Sequence, residues 1–368
     1  MNLIDRRHFL ASAGAVFLAG LAPAAAEAFD RTSAVFGAAC QKADGTFGCA
    51  IFSERGEILS MIDLPDRGHD VTFDIRSQRA VAFARRPRTF AVVFDPQSGK
   101  TLQTITSIEG RHFFGHGFFS PDGKLLYATE NEIDTAAGLI GVYDVAAGFS
   151  RVGEYPTHGM DPHEALLMPD GETIVVANGG IETYPDYGRQ KLNIATMEPS
   201  LVFIDRRSGA LIEQHRLPAA QHQLSIRHLA IDAGNRVWFG CQYEGSPTDL
   251  PPLVGFSRQG EEMTMIDIAP EPLAALANYV GSVAANADGS RIAFASPVGG
   301  TILTVDAKSG QPAGRYSLTD GCGLAATSAG FLATSGRGDV VDLATGSDQK
   351  PSTPVLWDNH ILAIGSEA

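Results

Sequence analysis

Histidines recur at one kind of place in this sequence. The stretches "FGHGFFSPDGKLLYAT", "DPHEALLMPDGETIVVA" and "SIRHLAIDAGNRVWFG" each place a histidine before a short apolar run and a polar turn. Five of the ten histidines of the chain hold this position, namely His69, His116, His163, His228 and His360. Neutral imidazole is a common ligand for zinc, copper, iron and nickel. The pattern predicts a metal site if the fold brings these side chains together.

Short apolar runs alternate with Gly, Asp, Asn and Pro turns beyond the N-terminal segment, which indicates an all-β protein. One unit repeats: two strands around a polar turn, a variable loop, a third strand ending in Asp, an "xxSG" turn and a fourth strand. Six copies are found, at residues 70–108, 117–155, 164–217, 229–268, 282–318 and, more weakly, 322–350. A regular period of this kind is typical of a repeat architecture.

The two ends of the chain supply a seventh unit. The segments "AVFGAAC", "GCAIFS" and "EILSMID" give three strands, and "WDNHILAIG" at residues 357–365 gives one more. We therefore predict a seven-bladed β-propeller over residues 29–368, one domain closed by a C-terminal strand that pairs with three N-terminal strands. A pair of β-sandwiches is the alternative, which the regular period disfavours.

The first strand of each propeller blade lines the central channel. The five histidines lie at the starts of these strands, and Ser282 and Cys322 take the same place in the other two blades. We expect the histidines to converge at one mouth of the channel and to ligate iron or copper. The alternative is that each imidazole only bonds a backbone carbonyl or ordered water, as buried polar groups commonly do.

Four further residues are candidates for the same site. Cys322 is a soft ligand that would favour copper, or else a small buried hydrophobe. His112, His158 and His222 precede first strands and are either outer ligands, partners that orient the ligating imidazoles, or plain loop histidines. His215 lies on an outer strand and is assigned no role.

The loops between second and third strands are long in three blades and lie on the histidine face. Long loops on a rigid scaffold commonly carry binding residues. The residues that we predict to bind a substrate or partner there are Glu130, Tyr184, Arg189, Lys191 and Glu244. Arg227, beside His228, either holds an anionic substrate or forms a structural ion pair.

The N-terminus predicts export. Arg6 and Arg7 precede a weakly apolar run and small residues, the pattern of a twin-arginine signal peptide over residues 1–28, with a general-pathway signal as the alternative. The apolar run is broken by glycine and proline, so no membrane span is expected. The expected location is the periplasm, where Cys40 and Cys49 can form a disulfide, although spacing alone does not decide it. A net charge of −14 argues against nucleic acid as a partner.

Several long stretches resemble a bacterial family of exported propellers that is known only as a domain of unknown function. They are "FFGHGFFS", "HEALLMPDGETIVVANGGIETYPDYGRQKLN", "QLSIRHLA", "QYEG" and "WDNH". Members of that family often occur beside imelysin-like proteins, so the resemblance implies iron acquisition or handling, with periplasmic iron-uptake proteins as partners. It assigns no catalytic residues.

Three hypotheses follow. The first is a periplasmic metal-binding propeller that takes up, relays or redox-cycles iron or copper. The second is an interaction scaffold of an uptake system, in which the histidines are structural. The third is a small-molecule propeller enzyme, although the sequence has no GxSxG, HExxH, Walker or CxxCH motif.

Overall fold

Seven antiparallel sheets form the blades of a β-propeller, as the repeat predicts. The computed structural model describes residues 32, 34–188, 190–345 and 353–364. The predicted signal at 1–28 and the predicted binding residue Arg189 lie outside the described residues. No helix within the described part of the chain is both long and apolar enough to cross a bilayer.

The blades are numbered along the chain, with strands β1–β28. Blade 1 contains Val35–Lys42 (β1), Phe47–Ser53 (β2), Ile58–Leu64 (β3), Val355–Trp357 (β27) and Leu362–Ala363 (β28). Blade 2 contains Gly68–Asp74 (β4), Arg79–Ala84 (β5), Phe90–Asp95 (β6) and Lys100–Thr106 (β7). Blade 3 contains Arg111–Phe119 (β8), Leu125–Glu132 (β9), Ala137–Asp144 (β10) and Ser150–Met160 (β11). Blade 4 contains Pro162–Leu167 (β12), Thr173–Asn178 (β13), Ser200–Asp205 (β14) and Leu211–Arg216 (β15).

Three blades follow. Blade 5 contains Leu224–Ile231 (β16), Val237–Tyr243 (β17), Val254–Ser257 (β18) and Thr264–Met265 (β19). Blade 6 contains Ser282–Ala285 (β20), Arg291–Ser296 (β21), Thr301–Asp306 (β22) and Pro312–Ser317 (β23). Blade 7 contains Gly321–Ala326 (β24), Phe331–Ser335 (β25) and Val340–Asp342 (β26). One helix, Pro270–Ala275 (α1), joins blades 5 and 6, and 3₁₀ turns lie at Pro185–Tyr187, Ile194–Thr196 and Ala219–Gln221.

The chain ends close the ring in the predicted way. Cys40 pairs with Trp357 and Phe36 pairs with Ala363, so β27 and β28 together form the inner strand of blade 1. The inner strands contact one another around the channel, and β28 contacts both β24 and β4. Closure pairs the edge of β1, and the inner edges of the blades are short and face one another around the channel, which protects them from edge-to-edge association.

The hydrophobic core is divided among the blade interfaces. Phe36, Phe52 and Trp357 pack with Leu332 between blades 1 and 7, and a separate cluster around Trp238 joins blades 4, 5 and 6. Because each blade buries its faces only against its neighbours, the centre of the ring is left to polar side chains.

The cysteines do not form the disulfide that their spacing allows. All four cysteines are buried free thiols. Cys49 pairs with Ala39 and Cys40 pairs with Gly48, so the side chains of the two cysteines point to opposite faces of the sheet. They pack in different core clusters, which is incompatible with a bridge between them.

Candidate metal centre

Each of the five histidines lies at or beside an interruption of an inner β-ladder. In blade 3, pairing with β9 shifts between Phe113 and Gly117, and His116 lies in the bulge. The corresponding shifts are at Gly68/Val71 around His69, Pro162/Glu164 around His163 and Ile226/His228 next to His228. His360 lies in the gap between β27 and β28. Bulges re-aim side chains and are common beside functional sites.

The sequence places these histidines at the starts of strands, and the structure confirms this for His69 and His163. It corrects the prediction for His116, His228 and His360, which lie within a strand or between two strands. The inner strand β8 begins at Arg111, five residues before His116. A bulge breaks the two-residue alternation of buried and exposed side chains, so the periodic pattern becomes readable only after it.

The five imidazoles form one buried cluster. The ring centroid of His116 lies 4.9 Å from that of His69, 4.7 Å from His360, 5.6 Å from His163 and 5.7 Å from His228. Two triads have ligand atoms within 4.8 Å of one another, and they share His116: His69, His116 and His360, and His116, His163 and His228. The most exposed of the five retains 9% of its surface. Small side-chain movements therefore suffice to bring three nitrogens onto one ion.

Carboxylates from the preceding blade hold two of these rings. Nδ1 of His116 lies 3.1 Å from Oδ2 of Asp70, and Nδ1 of His228 lies 3.1 Å from Oε2 of Glu164. The Nε2 atoms of His116, His228 and His360 are buried and have no hydrogen-bond partner among the described residues. When each of these rings is neutral and its Nδ1 donates a proton to the carboxylate, its Nε2 keeps a lone pair. This is how a metal-ligating histidine is oriented in proteins.

His69 is anchored by a third carboxylate. Its Nδ1 lies 3.3 Å from Oδ1 of Asp358, and Nη1 of Arg85 donates to the same oxygen at 2.8 Å. Arg67 also donates to Asp358. Asp358 thus links the inner strand of blade 1 to blade 2 at the level of the cluster.

His163 has a mixed environment. Its Nδ1 lies 3.4 Å from Nη1 of Arg227 and 3.8 Å from Oδ1 of Asp161. Asp161 is fully buried and also lies 3.6 Å from Arg227 and 3.8 Å from Arg86. Four arginines and four carboxylates surround the cluster. They are Arg67, Arg85, Arg86 and Arg227, and Asp70, Asp161, Glu164 and Asp358.

The environment keeps most of the rings neutral. Burial, and then the charges of neighbouring histidines and arginines, lower the pKa of four rings well below the ordinary 6.5: His69, His163, His228 and His360. Burial also opposes protonation of His116, but the hydrogen bond to Asp70 and the charges of Glu164 and Asp70 outweigh it and raise its pKa. Neutral imidazole is the form that binds metal, so four rings are ready to do so at pH 7.

Gly115 makes room for the cluster. Its φ is +113°, and a Cβ there would lie 2.5 Å from Cδ2 of His69. The first glycine of "GHG" therefore allows both the bulge that carries His116 and the close approach of the neighbouring ring.

A cavity of about 500 Å³ opens above the cluster. His69 and His163 form part of its floor, and Phe114, Tyr243 and Tyr279 lie in its walls. Four cationic side chains line it, namely Arg85, Arg86, Lys191 and Arg227, and none of the described lining residues is acidic. This cavity, which we call the upper cavity, gives small molecules access to the histidines.

Two of the predicted loop residues are brought together at the rim. Lys191 donates to Oε2 of Glu244 and thereby ties the long loop of blade 4 to that of blade 5. Tyr184 lies instead beside a small crevice next to His112, near the ring of Tyr187. Arg227 lies between Asp161, His163 and the upper cavity, so both of its predicted roles remain compatible with its position.

Several predicted site residues are placed elsewhere. Glu130 is not on an accessible loop: it is fully buried in β9, where it accepts hydrogen bonds from Tyr143 and Arg151. The Cys322 thiol donates to the carbonyl oxygen of Asp358 at 3.2 Å, and burial raises its pKa to about 12. It is absent from the two described ligand triads, so the prediction of a soft ligand is not supported.

The three predicted partner histidines do not orient the cluster. His112 bonds the carbonyl of Phe113 at 3.0 Å and stacks on Phe114. His222 bonds the carbonyl of Ala219 at 2.9 Å, and His158 is an exposed residue with a φ of +57°. The orienting groups are Asp70, Glu164 and Asp358, which sequence reasoning missed. The dipeptides His69–Asp70 and His163–Glu164 and the triplet Asp358–Asn359–His360 were the available signal.

Fold and site together define a seven-bladed propeller with a buried histidine cluster beneath a cationic cavity. The chain belongs to a family described as proteins of unknown function (DUF1513), whose model matches residues 62–364. Among solved structures, a chain of Kuenenia stuttgartiensis hydrazine synthase is similar, with a TM-score of 0.62 and 15% identity over 84% of this chain and 95% of that one. At that identity the likeness concerns the fold alone. No curated protein sequence matches.

Proposed function

We propose that this protein binds one first-row transition-metal ion, iron or copper, in the five-histidine cluster. The observation that carries the proposal is the pairing at His116 and His228, where Nδ1 bonds a carboxylate and the buried Nε2 lacks a partner. An unsatisfied buried polar atom costs on the order of 1–3 kcal/mol. Coordination removes that cost at both rings.

The donor set narrows the choice of metal. Imidazole nitrogens suit Fe(II), Cu(II), Ni(II) and Zn(II), whereas soft thiolates select Cu(I) and zinc. Cys322 remains a protonated thiol bonded to carbonyls, so the proposed site contains nitrogen ligands only. Iron is the first candidate because the family resemblance points to iron handling, and copper is the second because it binds nitrogen donors most tightly.

Export and iron handling form the wider part of the proposal. We infer that the chain is a periplasmic protein that takes up, relays or redox-cycles the ion beside iron-uptake partners. The twin-arginine pattern and the family resemblance support it. An interaction scaffold without a metal is the second candidate, and the tie between Lys191 and Glu244 at the rim is the observation that favours an ordered docking face.

Metal titration of chelator-treated protein tests the proposal. Fe(II), Cu(II), Ni(II) and Zn(II) are added under anaerobic conditions, and retained metal is measured after desalting. His116 has a single nitrogen to give because Asp70 holds the other, so the two triads compete for it and we expect one ion per chain. His116→Ala and His228→Ala should each weaken binding at least tenfold.

The control is His215→Ala. His215 pairs with Glu213 on the outer strand β15, away from the cluster, and its loss should leave metal binding unchanged. If the five-alanine variant of the cluster folds and retains each metal as well as the parent, the histidines are structural and the scaffold function replaces the metal site.

A further inference from the structure

The charged side chains that line the upper cavity are opposite in sign to the net charge of the chain. The chain carries a net charge of −14, yet four cationic side chains line this cavity and none of its described lining residues is acidic. Clefts lined by one sign of charge concentrate ligands of the opposite sign. The lining therefore presents cationic groups to a ligand, while the carboxylates that pair with them, Asp161, Glu244 and Asp358, are not among the lining residues.

The arginines are built into the site. Arg227 is 3% exposed, and its Nε is buried with no hydrogen-bond partner among the described residues. The Nε of Arg85 is likewise buried without a partner there, while its Nη1 is held by Asp358. The planar guanidinium group matches a carboxylate geometrically, and holding it in place lowers the entropy lost on binding.

The balance of charge requires a further anion when a cation enters. The four carboxylates and four arginines around the cluster already compensate one another. A divalent ion adds two positive charges beneath a cavity whose own lining is cationic, and buried charges are tolerated only when they are compensated.

Size and wall chemistry indicate an organic ligand. About 500 Å³ lies within the range of small-molecule sites, which is about 300–1,000 Å³. Tyr279, Pro247 and Val298 also line the cavity, and Arg86 lies over the ring of Phe114 at 5.0 Å. Such walls accommodate a carbon skeleton.

We infer that the upper cavity binds a small organic acid, with its carboxylates on Arg85 and Arg227 and its carbon skeleton against Tyr279 and Val298. One carboxylate oxygen faces the histidine floor, where it can complete the coordination of the proposed ion. The part that concerns coordination rests on the proposed function, whereas the anion site does not.

Titration calorimetry of metal-free protein with citrate tests this inference. Triethyl citrate, which has the same skeleton without charge, is the matched ligand control, and inorganic phosphate is the second probe. Citrate should bind and triethyl citrate should not. Arg227→Gln and Arg85→Gln should each weaken citrate binding at least tenfold, and affinity should fall with added salt. Arg207→Gln, an exposed arginine paired with Glu172, should have no effect.

The arginine variants can fail to fold, so Lys191→Gln provides a second test. Lys191 is partly exposed at the rim, and its substitution should also weaken citrate binding. The outcomes separate the two proposals. Metal retention without citrate binding overturns the inference and leaves the metal site standing. Citrate binding without metal retention supports the anion site and overturns the proposed metal site. Phosphate binding as tightly as citrate, with the same response to the variants, would overturn the organic acid in favour of an inorganic anion.

Discussion

Oε2 of Glu164 lies 3.1 Å from Nδ1 of His228 and 3.1 Å from the backbone nitrogen of Leu229, and so joins the inner strands of blades 4 and 5. The pKa of the Glu164 carboxyl is raised by burial, and the charge of His116 and the hydrogen bond from the Leu229 amide offset only part of this rise. The carboxylate fixes which nitrogen of His228 carries the proton. Its influence on a bound ion passes through that ring.

Glu164→Gln should weaken metal binding about 10- to 100-fold, as is typical when a group behind a ligating histidine is changed. The amide preserves the shape and one hydrogen bond but removes the charge that makes the imidazole a better donor. Competition with a chromogenic chelator measures the affinity. Glu213→Gln is the matched control, since Glu213 pairs with His215 at 3.0 Å outside the cluster. Equal affinities for both variants and the parent would contradict this role.

Metal-free protein should lose stability as the pH falls below about 6.5. Four histidines have folded-state pKa values well below 6.5, so the unfolded chain binds more protons than the folded chain in that range. His116 acts in the opposite sense, because its raised pKa stabilises the fold at low pH and this contribution is lost as the pH rises through that pKa. Because four histidines destabilise the fold at low pH and only His116 stabilises it, the net effect of acidification is a loss of stability.

Thermal unfolding between pH 7.5 and 5 in the presence of a chelator measures the effect. His360→Leu should reduce the proton uptake on unfolding by up to about one proton. A melting temperature that is constant or rises on acidification would show that the cluster is already protonated in the folded state.

Gly115→Ala should reduce both stability and metal affinity. The residue has a φ of +113°, which costs a non-glycine residue roughly 1–3 kcal/mol, and the new Cβ would collide with His69. Gly110→Ala separates the two effects, since Gly110 also has positive φ but open space around it. We expect that control to melt earlier while binding metal normally. Full metal binding by both variants would show that His69 is not needed.

Truncation before Trp357 should cause aggregation or a large loss of stability. It removes β28, His360 and the last residue of β27, exposes the edge of β1 and takes away the contacts of β28 with β4 and β24. Removing only residues 365–368 is the control. Light scattering and thermal unfolding are the measurements, and a truncated chain as soluble and heat-resistant as the parent would argue against closure as a source of stability.

Changing both Arg6 and Arg7 to lysine should leave the precursor in the cytoplasm, because the twin-arginine route requires the arginine pair. Fractionation of cells with an antibody to the protein measures it. Periplasmic accumulation at the parental level, in a host whose general pathway does not rescue the variant, would remove the export assignment.

The fold was predictable because its signal is repeated. Six copies of one strand pattern, and a chain end that supplies the missing strand, define seven blades without any long-range information. The histidines were predictable as a group for the same reason. The β-bulges that carry the histidines were not predictable, since one extra residue in a strand does not produce a periodic pattern in the sequence.

The surroundings of the cluster depend on contacts between blades. Asp70 meets His116 across 46 residues of sequence, and Asp358 meets His69 across 289. Glu130 shows the opposite failure: its position after a strand suggests a loop, but the strand continues and Arg151 neutralises the buried charge. Spacing along the chain does not record such partners.

The five histidines are spread unevenly around the ring. Blades 1 to 5 each contribute one, whereas the adjacent blades 6 and 7 have Ser282 and Cys322 at the equivalent places. An ion held by the cluster would brace one arc of the propeller and leave the other to neighbour packing alone. We then expect local opening of the ring to be greatest in the sector of β20 and β24. Tyr279 and Val298, which line the upper cavity, flank the strands β20 and β21 of that sector, so we expect local opening there, measured by hydrogen exchange, to affect how readily a ligand enters.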